Sequence, residues 1–265
     1  MAPYNFDASD ADVILRSSDG KEFRVHKVIL SLASSVFQGM FGLPQPNEPP
    51  SRIPIIDVPE SSDILEPFLQ YLYPRSPPKV PDLAMWGALC SVADKYGADV
   101  VIETLRGVLI LQFLETSPLR VYALASHWGL EEEAKIASRR TLTIDILNDF
   151  PREDAELMGG VACQKLYHLH TSRREAAQAF VANHPPPSSN NVSCRCPPPN
   201  YTGLVPRLCR RVVTRPWLTA DELYEDVTKY TYPQICSDVC RNTIKNMHAY
   251  FSSLLKGVSA LPQTI

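Results

Sequence analysis

The sequence contains no hydrophobic run of membrane-spanning length. Its best apolar run covers residues 108–111, whereas a membrane helix needs about 20 apolar residues. The first residues also lack the basic segment followed by an apolar stretch that marks a secretory signal. We therefore expect a cytoplasmic or nuclear protein that is neither secreted nor bound to a membrane.

An excess of charge of either sign is also missing. The chain has 26 lysine and arginine residues against 29 aspartate and glutamate residues, for a net charge of −3. This balance gives no general attraction to the phosphates of nucleic acids, so we expect no direct binding to nucleic acid. The hydrophobic content of 45% is typical of a folded globular protein.

The cysteines show no clear metal-binding pattern. Seven is an odd number, and without a secretion signal it favours reduced thiols over disulfides. The later cysteines form no Cys-x-x-Cys pair, and their spacing fits no structural zinc module. We predict no bound metal; a metal or redox role stays the alternative for His184, Cys194, Cys196, Cys209, Cys236 and Cys240.

Motifs of common enzyme classes are absent as well. The sequence has no Gly-x-Ser-x-Gly elbow, no Gly-x-x-x-x-Gly-Lys phosphate loop, no Gly-x-Gly-x-x-Gly dinucleotide motif and no paired-histidine zinc motif. His168 and His170 are two residues apart, a spacing that points them to different sides of a helix. We predict a protein that is not an enzyme and has no catalytic residues and no cofactor.

The N-terminal part of the chain combines short strand and helix patterns. Alternating apolar residues on both sides of Asp19-Gly20 predict a β-hairpin. Two short helices, with Ser34 as a capping candidate, a proline-rich loop over 42–54 and a strand within 53–58 follow. Asp63 and Glu66 have capping-box spacing before a third helix, and two further helices follow from about Asp82. The apolar residues at helical spacing in the first two helices are Val28, Ile29, Leu32, Val36, Phe37, Met40 and Phe41.

This order of elements resembles the BTB/POZ family. The resemblance is carried by DVIL at 12–15, FRVHKVILS at 23–31, SSVFQGMF at 34–41, IIDVP at 55–59, LQYLY at 69–73 and ADKY at 93–96. It implies an α+β, mostly helical BTB/POZ fold over residues 8–112, in which a small β-sheet packs on a cluster of helices. A C-terminal α-helical extension follows.

The rest of the chain shows helical patterns on both sides of a proline-rich break. Ser117-Pro118 starts a helix, a second helix covers about 130–142 and includes Ile136 in its pattern, and a longer one covers about 154–183. We predict a tail over 1–7, a helical extension over 113–184, a proline-rich linker or loop over 185–216 and a helical segment over 217–265.

The resemblance also implies a site. Asp12 and Lys27 match a buried charged pair in a pocket near the dimer interface, which repressor-type members use to bind corepressor peptides. Either the pair binds a ligand or it is a structural ion pair; we prefer the second, because a buried charge that loses its partner is strongly destabilising. The neighbouring His26 is interpreted as a core histidine with a hydrogen-bonded ring.

Two further BTB/POZ properties have weaker support in the sequence. Members that serve cullin-type ubiquitin ligases carry an apolar residue, any residue and glutamate in the loop after the second helix, where this chain has Gln45 among prolines. The eleven residues before Asp12 are also too few for the extra helix that many members exchange between subunits.

We interpret the chain as a non-enzymatic protein-protein interaction module, an adaptor or scaffold whose partners are other proteins, with a second copy of itself as one candidate. One alternative is a subunit of a transcription-regulatory complex that binds corepressor through the Asp12/Lys27 pocket. Another is a substrate adaptor of a cullin-type ubiquitin ligase.

Overall fold

The computed structural model describes residues 5–43, 53–74, 76–144, 146 and 150–183, together with 211, 249–250, 252–253, 256–257 and 260. The chain divides into two compact units, Met1–Leu114 and Glu115–Ile265, called unit 1 and unit 2 below. Most of the predicted linker and C-terminal segment, over 185–265, lies outside the described residues.

A three-stranded sheet forms one layer of unit 1. Strands β1 (Val13–Arg16) and β2 (Glu22–Val25) pair antiparallel, and β3 (Ile55–Asp57) pairs with β1 in parallel, so the strand order is β2-β1-β3. The predicted hairpin is confirmed, with Gly20 at a φ of 86° that favours glycine in its turn. The alternating residues of β1 and β2 that lie in the core are Val13, Leu15, Phe23 and Val25.

In its described residues, the rest of unit 1 consists of five α-helices and a π-helical turn. They are α1 (Lys27–Ala33), α2 (Ser35–Gly42), α3 (Ser62–Leu72), α4 (Leu83–Lys95), α5 (Asp99–Val108) and the π-helical turn Leu109–Phe113. The predicted Ser34 cap is confirmed, and the helix expected from about Asp82 has Asp82 itself as its N-cap. The Ser34 hydroxyl accepts from the Phe37 amide at 3.1 Å, and the Asp82 carboxylate accepts from the Met85 amide at 2.8 Å.

The predicted capping box of α3 is wrong. The helix begins at Ser62, and the Asp19 carboxylate of the hairpin turn accepts from the Ser62 amide at 2.9 Å and from the Ser62 hydroxyl at 2.5 Å. Glu66 instead binds the Lys21 ammonium at 2.5 Å. Hydrogen bonds from Ser17 and Ser62 lower the pKa of Asp19 to about 2. The cap therefore comes from a residue far away in the sequence, which a local motif cannot reveal.

The core of unit 1 joins the sheet to the helices. Trp86 is fully buried, and its indole Nε1 donates to the Leu105 carbonyl at 2.8 Å, which ties α4 to α5. Tyr96 stacks on Phe37 and Phe68, with ring centroids 4.8 Å and 5.6 Å away. Unit 1 thus has the predicted α+β architecture, a small sheet packed on a cluster of helices.

Unit 2 is helical in its described residues. It contains α6 (Pro118–His127), α7 (Glu131–Thr141) and α8 (Arg152–Asn183), and α6 packs against both of the others. The Tyr122 hydroxyl donates to the Ala162 carbonyl at 2.9 Å and fixes α6 on α8. Gly159, at φ 75°, breaks the helical geometry of α8.

The buried face of α7 differs from the apolar pattern predicted for it. Ile136, placed in the apolar pattern of α7, is 47% exposed, and the buried positions of that helix are Ala134, Ala137, Ser138 and Thr141. A short helix packed on one neighbour needs only a narrow apolar stripe, so one apolar residue faces solvent. At the C-terminal end, a side chain at Gly257 would overlap the Phe180 ring, so this part of the C-terminal segment lies against α8.

Within the described residues, none of the helices combines the length and the apolar character that a membrane crossing requires.

Candidate functional site

Asp12 and Lys27 do come together, through the backbone of Lys27. The Asp12 carboxylate accepts from the Lys27 amide at 2.7 Å. Lys27 is the first residue of α1, and the first amides of a helix have no partner within it. Asp12, the residue before β1, therefore acts as a cap of α1. The carboxylate also lies at the positive end of the helix dipole.

The interpretation of this pair as a buried ion pair is wrong for the single chain. The Asp12 side chain is exposed, and the Lys27 ammonium lies 5.8 Å from the centroid of the Phe41 ring. Desolvation therefore contributes little, and the contact is a helix cap beside a cation-π contact. This geometry lowers the destabilisation expected on removal of Asp12, compared with a buried charged pair.

We predict that Asp12→Ala lowers the free energy of unfolding by about 1 kcal/mol, the usual effect of removing a helix cap. Asp12→Asn keeps an acceptor oxygen and should lose less than half as much. Urea denaturation followed by circular dichroism measures both. A loss of 3 kcal/mol or more in Asp12→Ala would show that the carboxylate is a member of a buried pair.

His26 is held beside this cap by Tyr73. The Tyr73 hydroxyl accepts from the His26 amide at 3.0 Å and lies 3.0 Å from Nδ1 of the same residue. Nε2 lies 3.4 Å from the Asp10 carboxylate. The ring is hydrogen-bonded, as expected, and its neighbours fix the position of the α1 N-terminus.

Helices α1 and α2 expose apolar side chains beside Asp12 and Lys27. Val28 and Leu32, one turn apart on α1, are 63% and 85% exposed, and Val36 at the start of α2 is 40% exposed. We call these three residues, with Lys27, the α1–α2 face. The sequence placed its apolar members among the residues at helical spacing in the first two helices.

The sequence pattern could not show which side of α1 is buried. The helix has seven residues, and apolar side chains surround it, whereas Leu30 is its one residue in the core. One buried leucine is enough to hold so short a helix, and the remaining apolar residues contact solvent. The useful signal in the sequence is that surplus of apolar residues, because a helix that is apolar on every side exceeds what one packing face needs.

The described residues offer no clear chemistry of an active site or metal centre. Among them, no group of three histidine, cysteine or carboxylate side chains could hold a metal ion. Cys90 is buried in α4, where burial raises the pKa of its thiol to about 12. His170 is buried, with Nε2 3.0 Å from the Thr141 hydroxyl, whereas His168 is exposed.

Several candidate residues lie outside the described residues. They are Gln45 of the proline-rich loop and the metal candidates His184, Cys194, Cys196, Cys209, Cys236 and Cys240.

Unit 1 is a small sheet-and-helix unit that presents solvent-exposed branched side chains on α1 and α2. Residues 5–112 match the family model of the BTB/POZ domain. This part of the chain is a BTB/POZ domain, which is a domain of protein-protein interaction.

Proposed function

We propose that this chain is a non-enzymatic adaptor or scaffold that binds other polypeptides through the α1–α2 face of its BTB/POZ domain. The observation that carries the proposal is the exposure of Val28, Leu32 and Val36 beside Lys27. Burying a branched apolar side chain contributes about 1.5–3 kcal/mol, so these residues favour association.

The face also suits a second copy of the chain. In a two-fold symmetric dimer the same patch lies on both subunits, so each apolar residue contributes twice. Helices α1 and α2 are anchored through Leu30 and Phe37, both fully buried, so the face is held on a rigid support. A rigid apolar patch loses little conformational entropy on binding.

The position of Asp12 supports a second candidate, the binding of a corepressor peptide in a transcription-regulatory complex. Its exposed carboxylate binds the Lys27 amide at the N-terminus of α1, the helix that carries Val28 and Leu32. A peptide lying along α1 would meet apolar contacts and then the exposed Asp12 carboxylate, which is the usual combination of an apolar centre and a polar rim.

We predict that Leu32→Glu weakens self-association by about three orders of magnitude. The change replaces an apolar contact by a charge on each subunit and should cost about 2 kcal/mol of binding free energy per copy. Every 1.4 kcal/mol changes the dissociation constant about tenfold. Sedimentation equilibrium of the full chain measures the dimer dissociation constant. Leu111→Glu is the matched control, since Leu111 is 89% exposed elsewhere in unit 1.

The same variants test the adaptor proposal with other proteins. Quantitative affinity purification should recover partners with the wild type and with Leu111→Glu, and lose them with Leu32→Glu. Corepressor subunits that also disappear with Asp12→Lys would favour the second candidate, and a cullin would favour the ligase adaptor. Equal recovery by Leu32→Glu and Leu111→Glu, together with an unchanged dimer constant, would reject the α1–α2 face.

A further inference from the structure

An open groove lies on the surface of α6 in unit 2. Helices α7 and α8 both pack on α6, and they meet near one end, where the Thr141 hydroxyl lies 3.0 Å from His170 Nε2. Away from that contact they leave a cavity of about 340 Å³ over the C-terminal half of α6.

The floor of the groove is apolar. The buried residues that line it are Tyr122, Ala125, Leu130, Ala134 and Met158. Small alanine side chains on α6 and α7 leave the space open, and the non-helical backbone of Gly159 lies between Met158 and the next wall residue, Val161. The volume lies near the lower end of the range for ligand pockets, about 300–1,000 Å³, and admits one or two branched side chains.

The α8 wall of the groove is apolar and exposed to solvent. Val161 lines the groove on α8 and is 72% exposed. Lys165 follows one turn later on the same side of α8, which continues the wall with a charged group. The groove is therefore open to solvent along this wall, which suits a polypeptide segment that passes across it.

Positive charge stands on both walls. Lys135 lines the groove from α7 and Lys165 from α8. The Lys135 ammonium donates to Glu132 at 2.8 Å, a hydrogen bond that raises the pKa of Lys135, and Glu131 lies at the groove end of α7. Lys165 is exposed and forms no ion pair within the described part of the chain. The Lys135–Glu132 pair is exposed and therefore weak, so an occupant with carboxylates on both sides of an apolar side chain can contact both lysines.

We propose that the groove binds an acidic, aliphatic peptide segment of a partner protein. A branched apolar side chain fills the floor over Ala125 and Ala134, and flanking carboxylates contact Lys135 and Lys165. Two lysines on separate helices favour a ligand with two separated carboxylates over one with a single acid group. This inference concerns unit 2 and does not depend on the α1–α2 face of unit 1.

The test uses the full chain and a fluorescein-labelled peptide, Asp-Glu-Leu-Tyr-Glu-Asp-Val, which has the sequence of residues 221–227 and places leucine and valine among four carboxylates. Fluorescence anisotropy should show saturable binding that weakens with added salt. Val161→Asp and Lys165→Glu should each weaken binding at least tenfold. The matched controls, Tyr167→Ser and Arg174→Glu, change exposed residues of α8 outside the groove and should leave the affinity within twofold.

Three results would overturn the proposal. The first is no saturable binding, or equal weakening by the groove variants and the controls. The second is equal affinity for a peptide in which Asn and Gln replace Asp and Glu, which would remove the role of the lysines. The third is binding that occurs only after Asp221→Asn and Glu222→Gln are made in the chain itself, which would make its own segment the occupant. Far-UV circular dichroism identifies any variant that fails to fold.

Discussion

Trp86→Ala should lower the free energy of unfolding of unit 1 by about 3–5 kcal/mol, the usual effect of truncating a buried aromatic residue. Trp86 has no exposed surface and contributes the indole hydrogen bond to the Leu105 carbonyl. The substitution removes the packing between α4 and α5 and leaves a cavity, and it leaves a buried carbonyl without its donor. Urea denaturation followed by circular dichroism measures the loss.

Trp86→Phe separates packing from hydrogen bonding, and Trp128→Ala serves as a control. Trp86→Phe keeps most of the apolar volume and should cost about 1–3 kcal/mol, the penalty of an unsatisfied buried acceptor. Trp128→Ala in unit 2 should leave the hydrogen exchange of residues 83–108 unchanged, because Trp128 belongs to the other unit. Exchange in that segment that stays slow in Trp86→Ala would mean that this tryptophan does not hold α4 and α5 together.

Glu60→Ala should destabilise unit 1 by about 2 kcal/mol at pH 7, in the range for hydrogen bonds to a charged group. The Glu60 side chain is 9% exposed, accepts from the Tyr96 hydroxyl at 2.7 Å and binds the Lys95 ammonium at 2.5 Å. Glu60→Gln keeps an acceptor for Tyr96 and should lose about half as much. Glu103→Ala removes an exposed pair with Arg106 and should cost less than about 0.5 kcal/mol.

The effect of Glu60 depends on pH in a defined direction. Burial acts to raise its pKa, but the hydrogen bonds from Lys95 and Tyr96 outweigh burial and lower the pKa below its usual value of 4.5. The carboxylate therefore stabilises the fold fully above that value, and the stabilisation is lost as the pH falls through the lowered pKa. The difference in unfolding free energy between wild type and Glu60→Gln should shrink between pH 6 and pH 3. A constant difference would place the carboxylate outside this network.

Local patterns predicted most of unit 1. Asp19-Gly20 with alternating apolar residues fixed the hairpin, and Ser34 and Asp82 marked two helix starts, because each of these signals lies within a few residues of its effect. The start of α3 was mispredicted since its cap comes from the hairpin turn. Long-range hydrogen bonds of this kind have no local signature.

The candidate site was predicted in part. Asp12 and Lys27 were expected together, and they are. However, the Asp12 carboxylate accepts from the backbone amide of Lys27, and such an amide is common to all residues except proline, so no motif identifies it. Burial of Val28 and Leu32 depended on the side of α1 that meets the core, and apolar residues on all sides gave no preference. The groove of unit 2 arises where α7 and α8 diverge over α6, a geometry that single-helix patterns do not contain.

The hydrogen bonds between Asp19 and Ser62 span 43 positions of the chain. The Ser62 amide is one of the first amides of α3, which have no partner within the helix, so the hairpin turn supplies an acceptor that the helix itself lacks. A substitution at Asp19 should therefore weaken the start of α3 as well as the turn, although the two lie far apart in the sequence.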